Sequence, residues 1–200
     1  FISRGYGLTT ELAEPNRIAT WTQRRPGGIQ TLYYRLNVYR SNDAPQKAAF
    51  PGPADPPKLS EPLQAAADAL LDDIRARSAD IDSFSTLLIR EVNRGSPNEN
   101  VAAFLSRSSG DLERIRLIVD LLAGARIPAR IVHGIALSDQ ARRTSAIPWL
   151  EYHNSREWVP VNPTTGERGY PKNFLVWWVG DLPSALSVER GNQAQVEWAV

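Results

Sequence analysis

Residues 110–137, GDLERIRLIVDLLAGARIPARIVHGIAL, and residues 147–166, IPWLEYHNSREWVPVNPTTG, decide the fold. In the first, Leu112, Ile115, Val119 and Leu122 recur at helical spacing, with Ile118 and Leu121 beside them. So broad an apolar stripe predicts a central, buried helix over 111–125. After Pro128 the pattern turns to β: strands are expected at 130–137, 147–153 and 157–161, the last two as a hairpin around Asn154-Ser155. Pro148 has no N–H for a ladder, which argues for a strand end or edge at that point.

Upstream, 63–79 (LQAAADALLDDIRARSA) places Leu63, Ala66, Ala67, Leu70, Leu71 and Ile74 on one helical face. A second helix over 82–93 follows an N-cap at Asp80 or Asp82 and buries Phe84, Leu87, Leu88 and Val92 before Gly95. A short third helix, 99–105, is introduced by Ser96-Pro97-Asn98. Downstream, 174–179 reads as a fourth strand and 194–200 as a fifth. Helices first and an antiparallel sheet afterwards is the α+β pattern.

Residues 1–28 show no helical period and read as loops with short edge strands, while 29–40 (IQTLYYRLNVYR) alternates as a strand that needs a partner. Pro45, Pro51, Pro53, Pro56, Pro57 and Pro62 punctuate an extended linker. The expected organisation is therefore 1–43 loops and strand completing an upstream β-region, 44–62 linker, 62–180 core, and 181–200 a C-terminal extension.

Several phrases carry a resemblance. Leu121-Leu122 leading to Ile127-Pro128-Ala129-Arg130, then Trp149-Leu150-Glu151, then Trp158-Val159-Pro160-Val161-Asn162-Pro163 resemble the transglutaminase-like (papain-like) core, with helices packed on an antiparallel sheet. In that family a cysteine opens the central helix, a histidine begins the H-x-W-x-E strand, and an aspartate sits in W-x-x-V-D-P. Superposing the motifs puts Asp111 at the cysteine position (or Leu112, with a slip of one), Ile147 at the histidine and Asn162 at the aspartate. Such a triad needs a thiolate to attack, an imidazole to move the proton and a carboxylate to orient it. Ile147 transfers no proton, Asn162 stabilises no imidazolium as a carboxylate does, and Asp111 is a weak nucleophile toward amides. The resemblance thus implies a dead triad in a retained scaffold. Ile147 is expected to close the former site against water, and Asp111 to serve as the helix N-cap.

The phrases FISRGYGL, Asn16-Arg17-Ile18-Ala19 with Trp21, and GGIQTLYYR are similar to inactive transglutaminase-like domains fused to seven transmembrane helices. That resemblance implies a periplasmic domain of a bacterial inner-membrane protein. It also implies gene neighbours that are an ATP-grasp ligase and a retropepsin-like aspartic protease, the latter a candidate partner in envelope or osmotic stress. The expected role is a protein-interaction scaffold, with Trp149, Tyr152, Trp177 and Trp178 as candidate contact residues. The pair Trp177-Trp178 is the preferred docking strand, because neighbours in a strand point to opposite faces.

Two other classes stay open at this stage. An enzyme with replaced acid/base chemistry would use Asp111, Glu113 and Glu151 as its carboxylates. A structural spacer between membrane helices would need no site at all. No cofactor and no metal set is indicated, since His133 and His153 are dispersed and the chain has no cysteine. The lack of cysteine also excludes disulfides and thiol catalysis. A net charge of +1, with basic clusters no larger than Arg24-Arg25 and Arg142-Arg143, gives no nucleic-acid footprint. The chain contains no methionine and no membrane-length apolar run, so a fragment of a longer protein is expected, with its membrane segments outside this sequence.

Overall fold

A computed structural model describes residues 5–24, 50–137 and 146–181, and the chain divides into two compact units, 1–46 and 47–200. The strands predicted at 29–40 and 194–200 lie outside the described residues, as do residues 138–145. In the first unit, β1 (Gly7–Ala13) and β2 (Asn16–Thr22) form an antiparallel hairpin across Glu14-Pro15, pairing Leu8 with Trp21 and Leu12 with Arg17.

In the second unit, residues 50–60 carry no regular structure. Pro62 then enters α1 (Glu61–Arg77) in the first turn, where its missing N–H would have had no intrahelical partner. Ala66, Ala67, Leu70, Leu71 and Ile74 are its buried stripe. α2 (Ile81–Arg94) starts at Asp80 with a complete capping box. Ser83 N donates to Asp80 Oδ1 at 2.7 Å, and Asp80 N donates to Ser83 Oγ at 3.0 Å. α2 buries Phe84, Ser85, Leu88, Ile89 and Val92, so Ile89 takes the core place expected for Leu87, which is half-buried. Gly95, at φ 85°, ends the helix in a conformation few other residues adopt. α3 (Glu99–Leu105) is capped by Asn98 Oδ1, which accepts from the Asn100 and Val101 amides.

α4 (Asp111–Gly124) is the central helix, touching α1, α2 and two strands of the sheet. It ends in a Schellman motif: Ile127 N donates to Leu122 O at 2.9 Å and Arg126 N to Ala123 O at 2.9 Å. The residue between helix and strand, Arg126, holds the left-handed conformation at φ 63°.

The sheet contains β3 (Ala129–Ala136), β4 (Ala146–His153), β5 (Trp158–Val161) and β6 (Phe174–Val179) in the order β5-β4-β3-β6, all neighbours antiparallel. Ile131, Leu150, Tyr152, Val159 and Val161 share one core with the four helices, which defines the inner face. By strand alternation Arg130, Trp149, Glu151 and Trp158 occupy the outer face. The β4–β5 ladder spans Leu150 to His153, so Pro148 lies past its end, at a local edge. The architecture is α+β, as the residue pattern predicts.

Gly134 permits a close approach on the outer face. A Cβ at this position would lie 2.1 Å from Phe174 Cζ. Gly134→Ala is expected to cost about 1–3 kcal/mol through overpacking. Denaturant unfolding of Gly134→Ala, Phe174→Ala and the double variant checks it. The double variant should be less destabilised than the sum of the singles.

Candidate functional site: Asp111, Ile147, Asn162 and the outer face

Asp111 occupies the first turn of α4 and is exposed. The N-cap is Gly110 rather than Asp111, and the capping carboxylate belongs to Glu113. Its Oε2 accepts from Ser109 N, Ser109 Oγ and Gly110 N, each at 3.2 Å. A glycine cap offers no side chain, so the glutamate three residues on reaches back to the free amides instead. Hydrogen bonds from Gly110 and then Ser109 hold the Glu113 carboxyl below its usual range. Asp111 keeps only the general attraction of a carboxylate to a helix N-terminus.

Ile147 does not close a site. It is 36% exposed, because Leu150 and Tyr152 face the helices and the odd-numbered residues of β4 face away. Asn162, just past β5, is committed to a turn. Its Oδ1 accepts from Thr164 N at 2.8 Å and Thr165 N at 3.1 Å, and its own N–H donates to Glu167 O. Among the described residues no hydrogen bond joins any two of Asp111, Ile147 and Asn162.

The histidines are buried elsewhere. His133 is 3% exposed on β3; burial depresses its pKa, Asp181 opposes that and Arg116 adds to it. His153 is 1% exposed and accepts from Ser155 N through Nδ1. Its ring lies between Phe50, at 5.1 Å, and Trp158, at 5.3 Å, and burial followed by Arg130 depresses it. Neither Nε2 has a hydrogen-bond partner among the described residues.

The three carboxylates open to acid/base chemistry have separate structural tasks. Glu113 caps α4, Asp111 is exposed at the helix start, and Glu151 is buried in a network. Arg130 Nε donates to Glu151 Oε2 at 2.6 Å, and the Tyr170 hydroxyl donates to Oε1. Arg130 also lies 3.8 Å over the Trp158 ring. Tyr170 stacks on Phe174, which packs against Trp149, whose Nε1 donates to Gly169 O. Burial, then the bond to Glu151, raises the Tyr170 pKa far above its ordinary value. The arrangement offers neither a nucleophile beside a base nor a free acid pair.

Residues 1–108 match the family described as an inactive transglutaminase fused to seven transmembrane helices. That is more than half of the 200 residues. The chain belongs to this family. No curated protein and no solved structure matches it. The match ends before Asp111, so Asp111, Ile147 and Asn162, the positions that the motif spacing aligns with a triad, lie beyond it. Among its described residues no helix is long and apolar enough to cross a membrane, and no cluster of metal-ligating side chains occurs.

The contact residues expected from sequence separate in the structure of the inactive transglutaminase. Tyr152 is 0% exposed and donates its hydroxyl to Asp82 at 2.8 Å, so it is a core residue and not a contact surface. Trp149 is half-buried under Phe174. Trp177 and Trp178 are both half-buried, because a bulge opposite His133 and Gly134 breaks the strict alternation of β6. Trp178 Nε1 donates to Asp181 O at 3.0 Å. Sequence reasoning passed over Val176, which is 40% exposed; its place opposite Gly134 in β6 is set by that bulge.

Two outcomes test this assignment. Glu113→Ala should lower the thermal midpoint more than Asp111→Ala does, since only Glu113 satisfies free helix amides. Both histidines are held neutral, with pKa values below the ordinary 6.5. The unfolded chain therefore takes up protons at higher pH than the folded one, and the stability is complete above that value and lost as pH falls through it. The urea midpoint should fall between about pH 7.5 and about pH 5.5. A His133→Gln, His153→Gln variant should show a flatter profile.

Proposed function

We propose that this inactive transglutaminase domain is a periplasmic docking scaffold in a bacterial inner-membrane protein, with a retropepsin-like aspartic protease as its partner. On this reading the domain presents that protease in envelope or osmotic stress, in a pathway shared with an ATP-grasp ligase. The observation that carries the reading is an apolar row across the outer face. Ile147 and Val176, 36% and 40% exposed, lie opposite Gly134 from either side, beside the bulged Trp177-Trp178 segment. Exposed apolar side chains gathered on one face are the kind of surface through which a domain meets a partner.

The test is capture of envelope proteins on the immobilised chain. Wild type should retain a retropepsin-like protease, and both Trp177→Glu, Trp178→Glu and Val176→Asp should release it while keeping native circular dichroism. If the protease is not retained, or is retained equally by these variants, the scaffold reading fails and a spacer between membrane helices replaces it.

A further inference from the structure

The helical side of the second unit contains an open groove of about 830 Å³. Its floor includes Val92 and Leu105, which are buried in the core, and its walls bring together Arg77 of α1, Arg94 of α2 and Arg114 of α4. The single carboxylate in the lining, Glu91, lies 3.6 Å from the Arg77 guanidinium, which also pairs with Asp73. Arg94 and Arg114 have no ion pair and no side-chain hydrogen bond among the described residues.

Arg94 and Arg114 bring charge without a counter-ion among the described residues, whereas Arg77 faces both Glu91 and Asp73, so three guanidinium groups against two carboxylates leave an excess of one positive charge at the groove. Guanidinium presents a planar fork of N–H donors matched to carboxylate oxygens, and its charge acts more strongly beside apolar atoms than in open water. Val92 and Leu105 in the same lining suit an aliphatic side chain with acidic neighbours. A flat anionic membrane surface offers no group that reaches into a concave floor.

We propose that this groove binds an extended acidic peptide segment, its carboxylates on Arg94 and Arg114 and an aliphatic side chain over Val92 and Leu105. None of these residues belongs to the outer-face row of Ile147 and Val176. The groove is thus a second recognition surface that stands whether or not the protease docks there.

The experiment is fluorescence anisotropy of the full 200-residue chain with a labelled Glu-Glu-Leu-Glu-Glu peptide and its glutamine counterpart. The acidic peptide should bind at least about tenfold tighter than the glutamine peptide. That preference should shrink as NaCl rises from about 0.05 M to about 0.3 M. Arg94→Glu, Arg114→Glu should abolish the preference, whereas Val176→Asp should leave it intact. Arg94→Gln, Arg114→Gln, a milder pair of surface changes, repeats the test if the charge reversal fails to fold. No binding, equal binding of both peptides, or undiminished binding by both arginine variants overturns the proposal. Binding to vesicles containing phosphatidylglycerol without binding to the peptide overturns it in favour of a membrane contact.

Discussion

Burial of α4 against the inner face of the sheet is the contact on which the rest of the domain depends. Ile118 and Leu122 are fully buried, as are Leu150 and Tyr152 of β4, in the one core shared with the other helices. Removing apolar surface from water supplies the driving force, and close packing decides which partners fit. α1 and α2 close over the same core, and the Schellman turn at Arg126 passes the chain directly from helix into β3. α4 thus serves as an internal strut.

Polar anchors then fix what the apolar core leaves loose. Asp82, in the first turn of α2, accepts from Tyr152 Oη at 2.8 Å and pairs with Arg168 at 2.8 Å, so one carboxylate ties a helix, a strand and the loop after β5. Burial and that same bond raise the Tyr152 pKa, keeping its hydroxyl a donor. On the outer face the loop from Asn162 to Asn173 and the side chain of Phe50 cover Glu151 and His153, giving the sheet a second, smaller interior. The domain is thereby layered as helices, sheet and loop.

Much of this was legible in the residues, and the failures have identifiable causes. Helical spacing and caps located all four helices, and Asp80, Asn98 and Gly95 act where their side chains or conformations predict. At α4 the expected cap, Asp111, lies one residue past the actual one, Gly110, and the signal that mattered was a glutamate at the third helical position. Ile147 was assigned by motif position, although the period of two running from Leu150 and Tyr152 already set it on the opposite face. The same period marks Tyr152 as core. The bulge in β6 and the covering of Glu151 by Tyr170 come from contacts distant in sequence, and local pattern carries no trace of them.

The Glu151 network has an evolutionary consequence. Its carboxylate is shared by Arg130 and Tyr170, and Arg130 is shared with Trp158, so replacing any one of them strands a buried charge or a buried ring edge. A solvent-facing residue such as Ile147 or Asp111 can change alone, while these four can change only together. Packing alone is reason enough to keep Glu151 in this chain, so its presence is no evidence of turnover.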